Sequence, residues 1–157
     1  VDAPRLAEAM AELHMGHILE YTELPPHHPE LLARLREKRP IALCSNFSHT
    51  PTALRLIEDF GLSEHFDVVV VSEAVGIRKP YPGIFDAVLE GLQIAPEKIL
   101  HVGDKLRADV TGGSQMGMRT AWVTRRIDRD ADWAKHEGPA PDREVEDLAE
   151  LETLLAD

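Results

Sequence analysis

The chain is 157 residues long, 43% hydrophobic and 29% charged, enough for one globular domain around a single core. Its formal charge of −11 argues against a nucleic-acid or anionic-membrane partner, because the basic residues are scattered and their densest cluster, Arg125, Arg126 and Arg129, is short. The single cysteine, Cys44, excludes an internal disulfide framework, and with neither an apolar run of about 18 residues nor a leader pattern in view, a soluble cytoplasmic protein is expected.

Leu6, Met10, Leu13, Ile18 and Tyr21 recur near one face of a helix of about five turns. The stretch LPPHHPE interrupts it, since three prolines remove donors and fix the backbone, and ELLARLREK forms a second helix. IALCS at 41–45 is too short for a helix and suits a buried parallel strand. Thr50 is expected to cap a helix that has Pro51 at its first position and Gly61 as its stop. The valine run DVVVVS supplies a second strand. GIFDAVLEGL reads as a helix, KILHV as a third strand, residues 104–116 as a loop turning into a helix, and RTAWVT as a fourth strand. A polar loop and a last amphipathic helix, VEDLAELETLL, close the chain. Alternation of this kind predicts an open, parallel, Rossmann-like α/β sheet of about four strands.

Functional groups in such sheets gather beyond the carboxyl ends of the strands. The polar residues at those positions are Ser45 and Asn46, Ser72 and Glu73, Gly103 and Asp104, and Thr124 and Arg125. Lys79 sits in GIRKPYPGIF, presented from a stiff turn at a helix start. A hydroxyl, an ammonium and the acids Asp104 and Asp109 at one edge suit a phosphate and a divalent metal held through oxygen. Taken singly, Ser45 and Asp104 read better as helix caps; together with Lys79 they read as site residues.

SN at 45–46, KPYPGIF at 79–85 and VGDKLRAD at 102–109 resemble, in order and spacing, the second, third and fourth motifs of the haloacid dehalogenase-like (HAD) hydrolases. By that resemblance Ser45, with Asn46 beside it, binds the transferring phosphoryl group, and Lys79 bridges nucleophile and phosphate. Asp104 would ligate Mg²⁺, or another divalent ion such as Mn²⁺ or Zn²⁺, and Asp109 would support the metal or its waters. The family consists mostly of phosphatases, so a small phosphorylated substrate is implied. The segment up to ELPPHHPELLARL is similar to the end of a helical cap and its return to the core, which divides the chain into a cap remnant at 1–24 and a truncated core at 25–157.

The same comparison exposes a departure. The family's first motif, an apolar strand ending in DxDxT that carries the attacking aspartate, has no counterpart in residues 1–40. DRDAD at 128–132 reads as a solvated acidic loop, and it fails as a calcium loop because Trp133 stands where glycine is required. Without the central strand, the strands at 41–45 and 98–102 would present unpaired edges. Either they pair with each other, giving the order 2-1-3-4, or a segment of another subunit enters. The apolar stripe of the first helix predicts a homodimer through residues 1–24.

Three functional readings follow. The favoured one, because the metal ligands outlast the nucleophile, is a phosphate-ester hydrolase using metal-activated water; the alternatives are a non-catalytic binding or scaffold domain and a phosphatase core whose first strand is lost or supplied in trans. Among the eight histidines, His49 is an acid/base candidate near the site. His14, His17, His27 and His28 could bind a transition metal with Asp104 or Asp109, although the favoured reading makes them surface or half-buried polar residues on a cap remnant. His101 is expected in the core, His65 and His136 in solvent-facing loops, and Cys44 buried and inert on the opposite strand face from Ser45.

Overall fold

A computed structural model describes residues 2, 5, 6, 9, 10 and 15–155. In chain order the α-helices and strands are α1 (His28–Arg36), β1 (Ala42–Ser45), α2 (Thr50–Asp59), β2 (Val68–Val71), α3 (Ser72–Val75), α4 (Pro82–Leu92), β3 (Leu100–Gly103), α5 (Gly112–Gln115), β4 (Arg119–Val123), α6 (Arg129–Ala134), β5 (Arg143–Val145) and α7 (Leu151–Leu154). A wide π-helical turn, Leu106–Thr111, runs into α5. Among the described residues no helix is long and apolar enough to cross a membrane. Of the long helix expected before Tyr21, the described part closes in a 3₁₀ turn at Ile18–Tyr21, and Leu13 and His14 lie outside the described residues.

All strand pairing is parallel, as the β-α alternation requires, but the strands form two sheets. One holds β1 and β2, with Cys44 opposite Val70. The other has the order β3-β4-β5, with Val102 opposite Ala121 and Trp122 opposite Glu144. DRDAD at 128–132, read as an acidic loop, instead caps and opens α6, with Asp128 accepting the Ala131 N–H at 3.2 Å. Two further expectations are corrected here. First, β1 and β3 do not pair with each other, so the four-stranded order 2-1-3-4 does not form. Second, a fifth strand, β5, stands where a loop was expected; only Val145 of its three residues is buried, which leaves no alternation to read.

What joins the two sheets is α4. Its Ile84, Phe85 and Val88 are almost wholly buried and pack with Val70 of β2 and Met118 ahead of β4 in one apolar cluster. The helix approaches closely: a side chain at Gly91 would meet Val68, and one at Gly112 would meet Phe85. A second cluster, Leu106, Val110 and Trp122, packs the π-helical turn against β4, and the Trp122 indole donates to the Asp104 carbonyl at 3.0 Å. The carboxyl end of β3 is thereby fixed to β4.

The helix α1 returns to the far end of the chain. Leu31 and Leu35 are buried, as is Leu151 of α7, and Arg34 makes a two-pronged contact with Glu152 at 2.6 and 3.0 Å. His65 is buried beside this helix, not solvent-facing. His136 is half-buried, its Nε2 2.8 Å from the Pro139 carbonyl.

Candidate active site

The residues that matter converge on the interval between β1 and β3. Lys79 is held first by its backbone: Asn46, just after β1, accepts from the Lys79 N–H at 2.7 Å and donates to the Lys79 carbonyl at 3.0 Å. Both ends of the Asn46 amide are thus engaged in positioning Lys79. Beyond Lys79 a cis bond to Pro80 leads into α4, whose first residue is Pro82. The stiff turn read from the sequence is therefore present and pinned to β1.

The Lys79 side chain then reaches across. Its Nζ donates to the Cys44 carbonyl of β1 at 2.6 Å and lies 2.7 Å from Asp109 Oδ1. Both partners of that ion pair are buried, the side chains being 10% and 5% exposed. Asp109 Oδ1 also lies 3.2 Å from His101 Nε2, and Oδ2 accepts the Lys105 N–H at 3.0 Å. Burial by itself opposes ionisation of Asp109; the His101 hydrogen bond and the Lys79 charge outweigh it and hold the pKa down at about 2. A continuous polar chain from the β1 carbonyl through Lys79 and Asp109 to His101 of β3 thus crosses the interval that no described strand fills.

Two participants escaped the sequence reading. His101 was expected merely to pack in the core; it does stack edge-on against Phe85, with centroids 5.2 Å apart, but it also holds Asp109. Gly103 is required by the same carboxylate, because a Cβ there would lie 2.2 Å from Asp109 Cγ. Strand alternation places residues 101 and 103 on one face of β3, a signal that both face a common partner.

Asp104 behaves differently from Asp109. It follows β3, is exposed, and among the described residues pairs only with Lys105, Oδ2 to Nζ at 3.2 Å. Ser45 ends β1 opposite Val71, half-buried, immediately after the carbonyl that Lys79 holds. His49 stands at the N-cap of α2 with Nδ1 2.8 Å from Thr52 Oγ1. It lines an open cleft of about 330 Å³ with Met15, Ile18 and Arg55. Thr50, expected to cap, is instead the first residue of α2 and donates from both N–H and hydroxyl to Glu73. Burial pushes the Cys44 thiol pKa up, in keeping with an unreactive residue.

As carboxylates, Asp104 and Asp109 could hold a hard, oxygen-seeking cation, Asp104 being exposed and Asp109 buried and already engaged by three donors. Among the described residues, His17, His27 and His28 do not join these acids; His14 lies outside the described residues. His17 pairs with Glu20 at 2.9 Å, whereas His27 and His28 gather with Asp147, a residue that the sequence reading left aside. Among the described residues, that trio is the one group of three His, Cys, Asp or Glu side chains with ligand atoms all within 4.8 Å of one another.

Residues 3–117 match a family described as haloacid dehalogenase-like hydrolase. The chain is 34% identical over 154 residues to a phosphoserine phosphatase of Thermus thermophilus, covering 95% of this chain and 57% of that protein. It is 35% identical over 131 residues to the pyrimidine 5'-nucleotidase YjjG of Escherichia coli, covering 83% of this chain and 56% of that one. The fold is similar to that of a HAD phosphatase from Thermococcus onnurineus, with TM-score 0.73 and 29% identity over 85% of this chain and 58% of that one. It is also similar to YfnB from Bacillus subtilis, a structure bound to magnesium, with TM-score 0.75 and 28% identity over 86% and 57% of the two chains. The chain spans a little over half the length of these relatives.

Proposed function

The chain belongs to the haloacid dehalogenase-like hydrolase family, and from that premise we propose that it carries the phosphate-handling part of a phosphohydrolase acting on small phosphorylated substrates. The observation that carries this reading is the buried Lys79 ammonium, fixed between the Cys44 carbonyl of β1 and Asp109, one residue's reach from Ser45. A cation preorganised in this way stabilises charge on transferring phosphoryl oxygens, and the Ser45 hydroxyl offers a neutral donor beside it. Asn46 acts as a positioning residue through the Lys79 backbone. Asp109 keeps Lys79 oriented, and His101 keeps Asp109 ionised. A Mg²⁺ ion held by Asp104, with Asp109 behind it, would neutralise phosphate charge. The phosphatases and the nucleotidase among its relatives support a phosphate ester as substrate class.

The attacking group is the open element. Because β1 and β3 flank an interval without pairing, we place there an additional strand bearing a carboxylate nucleophile, contributed by polypeptide outside the described residues or by another chain. Direct attack by water is the second reading, favoured by the exposure of Asp104 and opposed by the three donors already on Asp109. A dimer through residues 1–24 is part of the proposal, supported by the exposure of Leu6, Met10 and Tyr21.

The test is hydrolysis of p-nitrophenyl phosphate and phosphoserine by the chain with Mg²⁺, with and without a synthetic apolar strand ending in DxDxT. Turnover that requires the peptide supports the strand reading. Turnover by the chain alone, lost in EDTA and in Asp104→Ala, supports attack by water. No turnover in either arm overturns the hydrolase and leaves a binding domain.

A further inference from the structure

Beyond the carboxyl ends of β4 and β5 lies a cluster that the phosphate chemistry does not use. His27 and His28 sit where the prolines Pro25 and Pro26 deliver the chain into α1, and Asp147 follows β5. His27 Nε2 is 2.9 Å and His28 Nε2 3.4 Å from the same oxygen, Asp147 Oδ1. The two rings meet edge to face with centroids 4.5 Å apart.

That oxygen is oversubscribed. Oδ1 already accepts the Ala149 N–H at 2.9 Å, in the capping box that starts the last turn, while Arg125 Nη1 donates to Oδ2. A carboxylate oxygen offers two lone pairs, so the backbone donor and one imidazole fill it. His28 Nε2 is indeed shielded from solvent and finds no hydrogen-bond partner among the described residues. A buried, unmatched imidazole nitrogen beside a carboxylate is costly unless something positive accepts both lone pairs.

We propose that His27, His28 and Asp147 form a transition-metal site, of the Zn²⁺, Co²⁺ or Ni²⁺ class, that staples the connector before α1 to the segment after β5. Donor atoms around a tetrahedral ion at about 2.1 Å stand about 3.4 Å apart, close to the spacings here. Two imidazoles and one carboxylate select a borderline ion over Mg²⁺. Arg125 and the Ala149 N–H fix the carboxylate from both sides, as outer partners of metal ligands do. The Arg125 charge also opposes the incoming cation, so micromolar affinity is expected. The staple adds to contacts that already join the same two regions, Arg34 with Glu152 and Arg39 with the Leu155 carbonyl. It stands independently of the phosphohydrolase reading.

The experiment titrates untagged, EDTA-stripped chain with Zn²⁺ by calorimetry and with Co²⁺ by visible absorption. One ion per chain is expected, with a raised Tm and the intense d–d bands of four-coordinate cobalt, undisturbed by millimolar Mg²⁺. His27→Ala/His28→Ala should abolish uptake. Asp147→Asn, which retains a capping oxygen, should weaken uptake while circular dichroism shows a folded chain. A His17→Ala/His136→Ala control should bind like wild type. No uptake by wild type, unchanged uptake in folded Asp147→Asn and the double-histidine variant, or loss of uptake in the control would each overturn the site.

Discussion

Asp109 concentrates the energetics of the site in one side chain. Its folded pKa of about 2 lies below the 3.8 of an unperturbed aspartate, so the unfolded chain binds the proton more readily. The stabilisation is therefore fully present above pH 3.8 and is lost as pH falls toward 2; it amounts to about 2 kcal/mol. Urea midpoints measured between pH 2 and 6 should show a loss in wild type that is smaller in Asp109→Asn, where the remainder comes from other depressed carboxylates such as Asp147. Lys79→Ala should cost about 3 kcal/mol in the same measurement, because it strands a buried carboxylate. In a chain with phosphatase turnover it should also remove that activity. Gly103→Ala should destabilise by about 3 kcal/mol, since the added carbon would overlap Asp109 Cγ. Lys79 and Asp109 were legible in the sequence because motif spacing marks them. The Cys44 carbonyl was not, since a backbone acceptor leaves no trace in residue type, and His101 reads as apolar filling until its partner is located.

Helices α1, α2 and α4 and the first four strands follow from patterns that local physics enforces, whereas α3 and α6 were not expected and the last helix shrinks to a 3₁₀ turn and α7. The valine-rich run gives β2, and α4 has proline at its start and a buried apolar stripe. What failed was pairing and brevity. β5 has one buried residue and is recognised by its neighbour β4, a long-range contact no local pattern carries. The pairing of β1 with β3 was an inference from edge avoidance, and in its place stands a bridge of side chains. Hydrogen exchange should resolve the consequence. β4, paired on both sides, should hold the most protected amides of the five strands, while amides of β1 and β3 that face the interval should exchange faster. A strand peptide that fills the interval should slow them.

At the scale of the whole molecule, a chain spanning a little over half of its relatives' length retains an apolar core that ties both sheets together through α4. Three of its exposed apolar side chains precede α1: Leu6, Met10 and Tyr21 are 51%, 62% and 86% exposed. Light scattering at micromolar concentration should report a dimer, and Met10→Glu/Tyr21→Glu should shift it to monomer without lowering Tm. A monomeric wild type would remove residues 1–24 from the interface.

Lys79 makes the interval between the sheets chemically observable. An amine gripped by a carbonyl and a carboxylate can meet an acylating reagent only in the moments when those partners let go. The labelling rate of this one nitrogen, followed by mass spectrometry against the exposed Lys105, should therefore clock how often the two halves of the core part company.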